Sequence, residues 1–322
     1  MQTALLAGSA MLCLVAAATV HRAPSAAASA APSAPSALGI PPLPSGAAPR
    51  DVTPPDDDPG DGCRFVDRGL GDYADARPAG RGKVFVPHAR AVDADGTFPL
   101  LIHFHGGEAV RRELAPEKID VVFVTVDAGV GSAAYARAFA EPSAIADLIA
   151  GAEAAVAAER ELPSARAFPI VLSSWSAGYG AVWRALTSMK RPVNGVILLD
   201  SLYASYKQGS REVEPERLAP FVTFAKGAAD VGAASQAMFL LHTAIPTPSY
   251  ASTGEVATWL LKELGGEATA SDTGGAFALT RSFDRGSFHL RGHAGSDRDA
   301  HCEALRALPS ALRDDVLPAL AR

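Results

Sequence analysis

Residues 168–180 read FPIVLSSWSAGYG. Phe168 to Ser173 form a short apolar run that reads as a buried strand, and from Ala177 onward apolar side chains return at helical spacing. Between the two lies Ser174-Trp175-Ser176-Ala177-Gly178, small residues around one tryptophan. A strand that bends this abruptly into a helix needs small neighbours, and it holds the apex residue, here Ser176, in a strained turn with its hydroxyl exposed. The turn is S-x-S-x-G, with Ser174 where a G-x-S-x-G turn carries its first glycine.

Working outward, further strands are expected at Lys83 to Pro87, Phe98 to His105, Asp120 to Val126, Val196 to Asp200, Met238 to His242 and Ser287 to Ala294. Helices are expected near Pro142 to Arg160, Ala177 to Lys190, Pro215 to Ala228, Ser252 to Leu264 and Asp299 to Leu308. Short buried strands alternating with longer helices predict an α/β fold, a mainly parallel sheet with helices on both faces. No repeat of fixed period is visible, which argues against a solenoid or propeller.

The chain has 322 residues, 48% hydrophobic and 20% charged, enough to bury a large core. Its net charge of −6 gives no overall basic footprint for nucleic-acid phosphates, so no nucleic-acid partner is expected. The front end reads differently from the rest. Thr3 to Val20 is apolar and uncharged, and Ala16-Ala17-Ala18 offers a small-residue cleavage site, so residues 1–22 read as a signal peptide or an N-terminal membrane anchor. Export to a periplasmic, extracellular or membrane-attached location follows. Lipidation at Cys13 ranks lower, because Leu12 stands where a small residue is needed. Residues 23–62 are rich in Ala, Pro and Ser and read as a disordered linker, and Asp56-Asp57-Asp58 as a solvated charge run. One folded domain, 63–322, remains. Its cysteines, Cys63 and Cys302, are either a disulfide permitted by an oxidising compartment or two free thiols.

Leu100 to Gly107 read LLIHFHGG, a strand running into two glycines. An acyl-transfer site needs backbone N–H donors for the developing oxyanion, and glycines let the main chain come near the substrate. Gly106 or Gly107, together with the amide of Ala177, fits that role.

HFHGG at 103–107, SWSAG at 174–178 and a late histidine, in that order, resemble the α/β-hydrolase superfamily of serine esterases and lipases over residues 80–310. The resemblance implies a triad in the chain order Ser, acid, His. Ser176 is then the nucleophile. Asp200, at the end of VILLD, is the better placed acid, with Glu255 as the alternative, since no carboxylate follows the strand at 238–242 before it. For the base, His301 opens a helix after a polar loop and is preferred to His293, while His289 reads as a sheet residue. His103 and His105 alternate along a strand. A metal site would need a third ligand at suitable spacing, so no metal and no cofactor are expected. By resemblance, His105 orders the oxyanion loop. Trp175, Tyr179, Tyr135, Tyr203 and Tyr206 line a pocket or simply pack. The reading implied is hydrolysis of an ester, thioester or amide of a small-molecule or cell-envelope acyl substrate. The alternatives are a same-fold acyltransferase, a secreted binding protein without turnover and a metal hydrolase using His103 and His105.

Overall fold

The computed structural model describes residues 63–232 and 236–321. The expectations for 1–22 and 23–62 lie outside the described residues. No helix among the described residues is long and apolar enough to cross a membrane.

The strands are β1 Arg77–Ala79, β2 Gly82–Phe85, β3 Thr97–Phe104, β4 Val122–Val126, β5 Arg166–Trp175, β6 Gly195–Leu199, β7 Ala237–His242, β8 Thr269–Ala270, β9 Leu279–Arg285 and β10 Phe288–His293. They form one sheet in the order β1-β2-β4-β3-β5-β6-β7-β10-β9-β8. From β4 to β10 every pairing is parallel, and both edges are closed by antiparallel strands. β4, β6 and β7 are buried at every residue, as strands covered on both faces must be, and this is why their sequences run apolar without alternation. This strand order, with a serine turn after β5, is that of the α/β-hydrolase fold.

The helices bearing on the site are α1 Gly107–Leu114, α2 Ser132–Ala138, α3 Ser143–Glu159, α4 Tyr179–Ser188, α5 Ala219–Ala229, α6 Thr253–Glu263 and α7 Arg298–Arg306. Period-two alternation along the strands divides the core in two. Ile102, Leu172 and Leu198 pack with Leu148, Val182, Phe221 and Leu260 of α3 to α6. Leu101, Val171 and Ile197 pack on the other face with Val110 and Leu114 of α1 and Leu305 of α7. The chain passes from β3 to β4 on one side and then crosses back to β5 on the other, so the strand order reverses at β3. Such a switch point opens a crevice outside the strands' C-terminal ends, where ligands of open α/β sheets bind.

Cys63 is bridged to Cys302 in α7, with Cα atoms 5.4 Å apart across 239 residues. The bond ties the first described residue to the helix that carries His301. A loop this long removes much denatured-chain entropy, on the order of 5 kcal/mol in the chain-entropy model. Reduction should therefore lower the urea midpoint substantially. Equal midpoints with and without reductant would show that the bridge contributes nothing.

Candidate active site

β5 ends at Trp175, and Ser176 takes φ +49° before the chain enters the helical turn that leads into α4. Left-handed backbone is unfavourable for a side chain other than glycine's. Among the described residues, five non-glycines adopt it, and three of them are His105 (+78°), Ser176 (+49°) and Asp200 (+45°), at the C-terminal ends of β3, β5 and β6. Strain of this kind persists only where the surroundings hold it, and it gathers at functional sites. Gly178 is needed here because a Cβ would lie 2.1 Å from the Phe104 carbonyl oxygen of β3.

Ser174, in place of the elbow's first glycine, is fully buried and donates to Ser201 Oγ at 2.8 Å, and Ser201 Oγ in turn donates to the Ser176 carbonyl at 2.8 Å. Two hydroxyls thus tie the serine turn to the residue after Asp200. Sequence reading found Ser174 only as an imperfect glycine and missed Ser201.

Asp200 and His301, 101 residues apart, meet through His301 Nδ1 and Asp200 Oδ2 at 2.7 Å. Because Asp200 is an acceptor, Nδ1 carries the proton and Nε2 presents its lone pair. Thr243, the residue after β7, donates to the same carboxylate through Oγ1 at 2.8 Å and through its amide at 3.2 Å. Burial alone would raise the Asp200 pKa, but the His301 and Thr243 bonds outweigh it and hold the carboxyl below the usual carboxylate range. His301 is fixed from behind as well. Trp175 Nε1 donates to its carbonyl at 2.9 Å, and the indole stacks on its imidazole. Among the described residues no hydrogen bond joins Ser176 Oγ to His301; in ligand-free enzymes such contacts are often long and tighten on binding.

The alternative residues sit elsewhere. Glu255 is the third residue of α6 and closes a capping box with Ser252; it also accepts from Tyr206 and Arg211. His293 donates to the Phe277 carbonyl at 3.0 Å and stacks on that ring. His289 lies on β10 beside Asp284. Neither Glu255 nor His293 shares a hydrogen bond with Ser176, Asp200 or His301 among the described residues, because each is engaged in local structure.

The glycine loop also departs from expectation. Gly107 opens α1, and the amides of Gly106 and Gly107 point at the carboxylate of Asp127, 2.9 Å and 3.1 Å from its Oδ1. A carboxylate at a helix N-terminus satisfies amides that have no intrahelical partner and interacts well with the helix dipole. In this arrangement these two amides are therefore engaged, not turned to a carbonyl at Ser176. Ala177 is at the start of the helical run after β5, where amides have no intrahelical acceptor.

His103 and His105 do not share a strand face, because β3 ends at Phe104 and His105 turns left-handed. Both nitrogens of His103 are taken, by Ser173 Oγ and the His105 carbonyl, each at 2.7 Å. His105 Nδ1 meets the Tyr135 hydroxyl at 2.8 Å. Tyr179, Tyr203 and Tyr250 form a chain of ring contacts next to the serine turn, with Tyr203 also donating to the Asp200 carbonyl. Tyr206 instead belongs with Glu255. Beyond Thr243 a groove of about 1030 Å³ runs past Ile245, Pro246 and Trp259.

Burial pushes the imidazoles of His103 and His242 down, to about 3 and about 4. In the unfolded chain both titrate near 6.5, so between these values the unfolded state binds more protons and stability rises with pH. The contribution is complete above about pH 6.5 and is lost as pH falls toward the folded values. Urea midpoints measured from pH 7.5 down to pH 4 should fall, with a shallower slope in His103→Gln. An unchanged slope in that variant would remove His103 from the account.

No protein-family model matches the chain, and no curated protein does. Solved structures do. One is a Thermus thermophilus protein at 15% identity, covering 73% of this chain and 93% of that one with a TM-score of 0.37. Another is a mutant feruloyl esterase module from Clostridium thermocellum, complexed with sinapinate, at 11% identity, 71% and 81% coverage and a TM-score of 0.40. A third is esterase 2 of Thermogutta terrifontis phosphonylated by cyclosarin, at 16% identity, 72% and 88% coverage and a TM-score of 0.39.

Proposed function

We propose that this chain is a serine hydrolase that cleaves an ester or related acyl bond through Ser176, His301 and Asp200. The observation that carries the reading is the buried 2.7 Å bond between His301 Nδ1 and Asp200 Oδ2, with Trp175, next to Ser176, packed on the imidazole. His301 takes the Ser176 proton on Nε2 as Oγ attacks the carbonyl carbon, and returns it to the leaving group. Asp200 keeps the imidazole in the required tautomer and stabilises its charged form. Water then resolves the acyl-enzyme. The Ala177 amide supports the oxyanion, and the Gly106 and Gly107 amides join it only if the substrate displaces the Asp127 carboxylate.

One observation favours the rival reading, a hydrolase fold kept without turnover: Asp127 already occupies the two glycine amides. A fluorophosphonate probe separates the two. Covalent labelling that mass spectrometry maps to Ser176 supports the enzyme. A folded wild-type protein that takes no label sinks it. An envelope or small-molecule acyl substrate, export, and the division into front segment, linker and single domain remain parts of the proposal. Nothing in it calls for a cofactor.

A further inference from the structure

The indole of Trp175 lies between two imidazoles. Its ring centroid is 4.7 Å from that of His301 with the planes 28° apart, and 5.5 Å from that of His105 with the planes 25° apart. Its Nε1–H holds the His301 carbonyl, so ring and main chain of the same residue are gripped by one side chain. The tryptophan is 3% exposed and His301 8%, which keeps the contact out of bulk water.

We propose that Trp175 is a positioning residue for His301, fixing the start of α7 through Nε1 and presenting its π-face to the imidazolium that forms when Ser176 is deprotonated. The catalytic use of this contact rests on the serine-hydrolase reading; the contact itself does not. In that step the Ser176 O–H bond breaks, the proton goes to His301 Nε2, and the Oγ electron pair forms the bond to the substrate's carbonyl carbon. Nδ1–H stays on Asp200. The imidazole thereby becomes a cation against an aromatic face, an attractive arrangement when the separation is within about 6 Å.

The indole also shields the imidazole from water, which by itself disfavours the charged form. These two effects have opposite signs, so the direction of the His301 titration decides between them. The other groups around the imidazole are few. Asp200 faces it from the end of β6, and His105 stands behind the indole at the end of β3. Asp297 caps α7 by accepting from the Ala300 amide, and the first turn carries Arg298 and Asp299.

The test is an NMR titration of the histidine side chains in the full chain, with the His301 signal identified by its loss in His301→Gln. In Trp175→Leu the His301 midpoint should fall by about 0.5 to 1 pH unit. In Trp175→Phe, which keeps a ring and most of the packing, the fall should be smaller and in the same direction; this variant gives the answer if the leucine variant does not fold. A midpoint that stays put or rises in the variants that fold overturns the proposal, since shielding or mere packing would then be the whole role of the tryptophan. The titration needs no turnover. A wild type that refuses the fluorophosphonate would therefore remove the hydrolase reading while the fate of the Trp175 contact is read separately.

Discussion

Hydrolysis of an activated ester such as p-nitrophenyl acetate should fall on the order of 10⁵-fold or more in Ser176→Ala. The size follows from what remains. Without Oγ there is no acyl-enzyme, and His301 can at most activate a water that the site was not shaped to hold. The residual rate, above that of water alone, would come from the Ala177 amide and from substrate binding. His301→Ala should cost about as much, and the double variant little more, because nucleophile and base act on one proton and their effects do not add. The fold should be indifferent to Ser176→Ala. Alanine is no more strained than serine at φ +49°, and the bond from Ser201 reaches the main-chain carbonyl of residue 176, not its side chain. Circular dichroism and the urea midpoint should thus match the wild type. A Ser176→Ala variant that keeps activity within tenfold of an active wild type would move the chemistry to another residue.

The sheet and the serine turn could be read in the sequence because their signal is local. β4, β6 and β7 are apolar runs apart from Thr125 and the terminal His242, and the small residues of 174–178 leave few other backbones open. Of the antiparallel hairpin near the edge, β10 was legible at 287–294 and β9 was not. β9 reads LTRSFDR, a mostly half-exposed strand whose polar side chains carry no burial alternation. The glycine loop carries two readings for a physical reason: residues that let a backbone approach a substrate also let it enter a helix left-handed, as Gly106 does at φ +76°. What decides between the two is Asp127, some twenty residues away and visible only in space. Thr243 had no signal at all, being one hydroxyl among several in a loop that carries no carboxylate before Glu255. Glu255 did have one. Ser252-Thr-Gly-Glu255 has the S-x-x-E spacing of a capping box, a local pattern that commits this carboxylate to the start of its own helix.

Asp200→Asn should reduce turnover on the order of 10⁴-fold, whereas Glu255→Gln should leave it within about twofold. The first effect is one of tautomer. Asp200 accepts from His301 Nδ1 and from Thr243 Oγ1 and its amide, so its oxygens see donors only. An asparagine must place its NH₂ toward one of these groups. Turned toward His301, it donates to Nδ1, drives the imidazole proton onto Nε2 and leaves the base unable to accept from Ser176. Turned the other way, it meets the Thr243 amide and gives up that bond, and a neutral oxygen still holds the imidazolium far less well than the carboxylate it replaces. Glu255→Gln keeps the geometry of the capping box, since the amide oxygen still accepts from Ser252. It loses the ion pair with Arg211, a contact between partly exposed side chains that is worth roughly 1 kcal/mol or less. Paired kinetic assays on the two folded variants therefore divide the assignments sharply. If Glu255→Gln collapses turnover and Asp200→Asn does not, the carboxylate that orients His301 here is not the one that works in catalysis, and the binding of substrate must rebuild the site around α6.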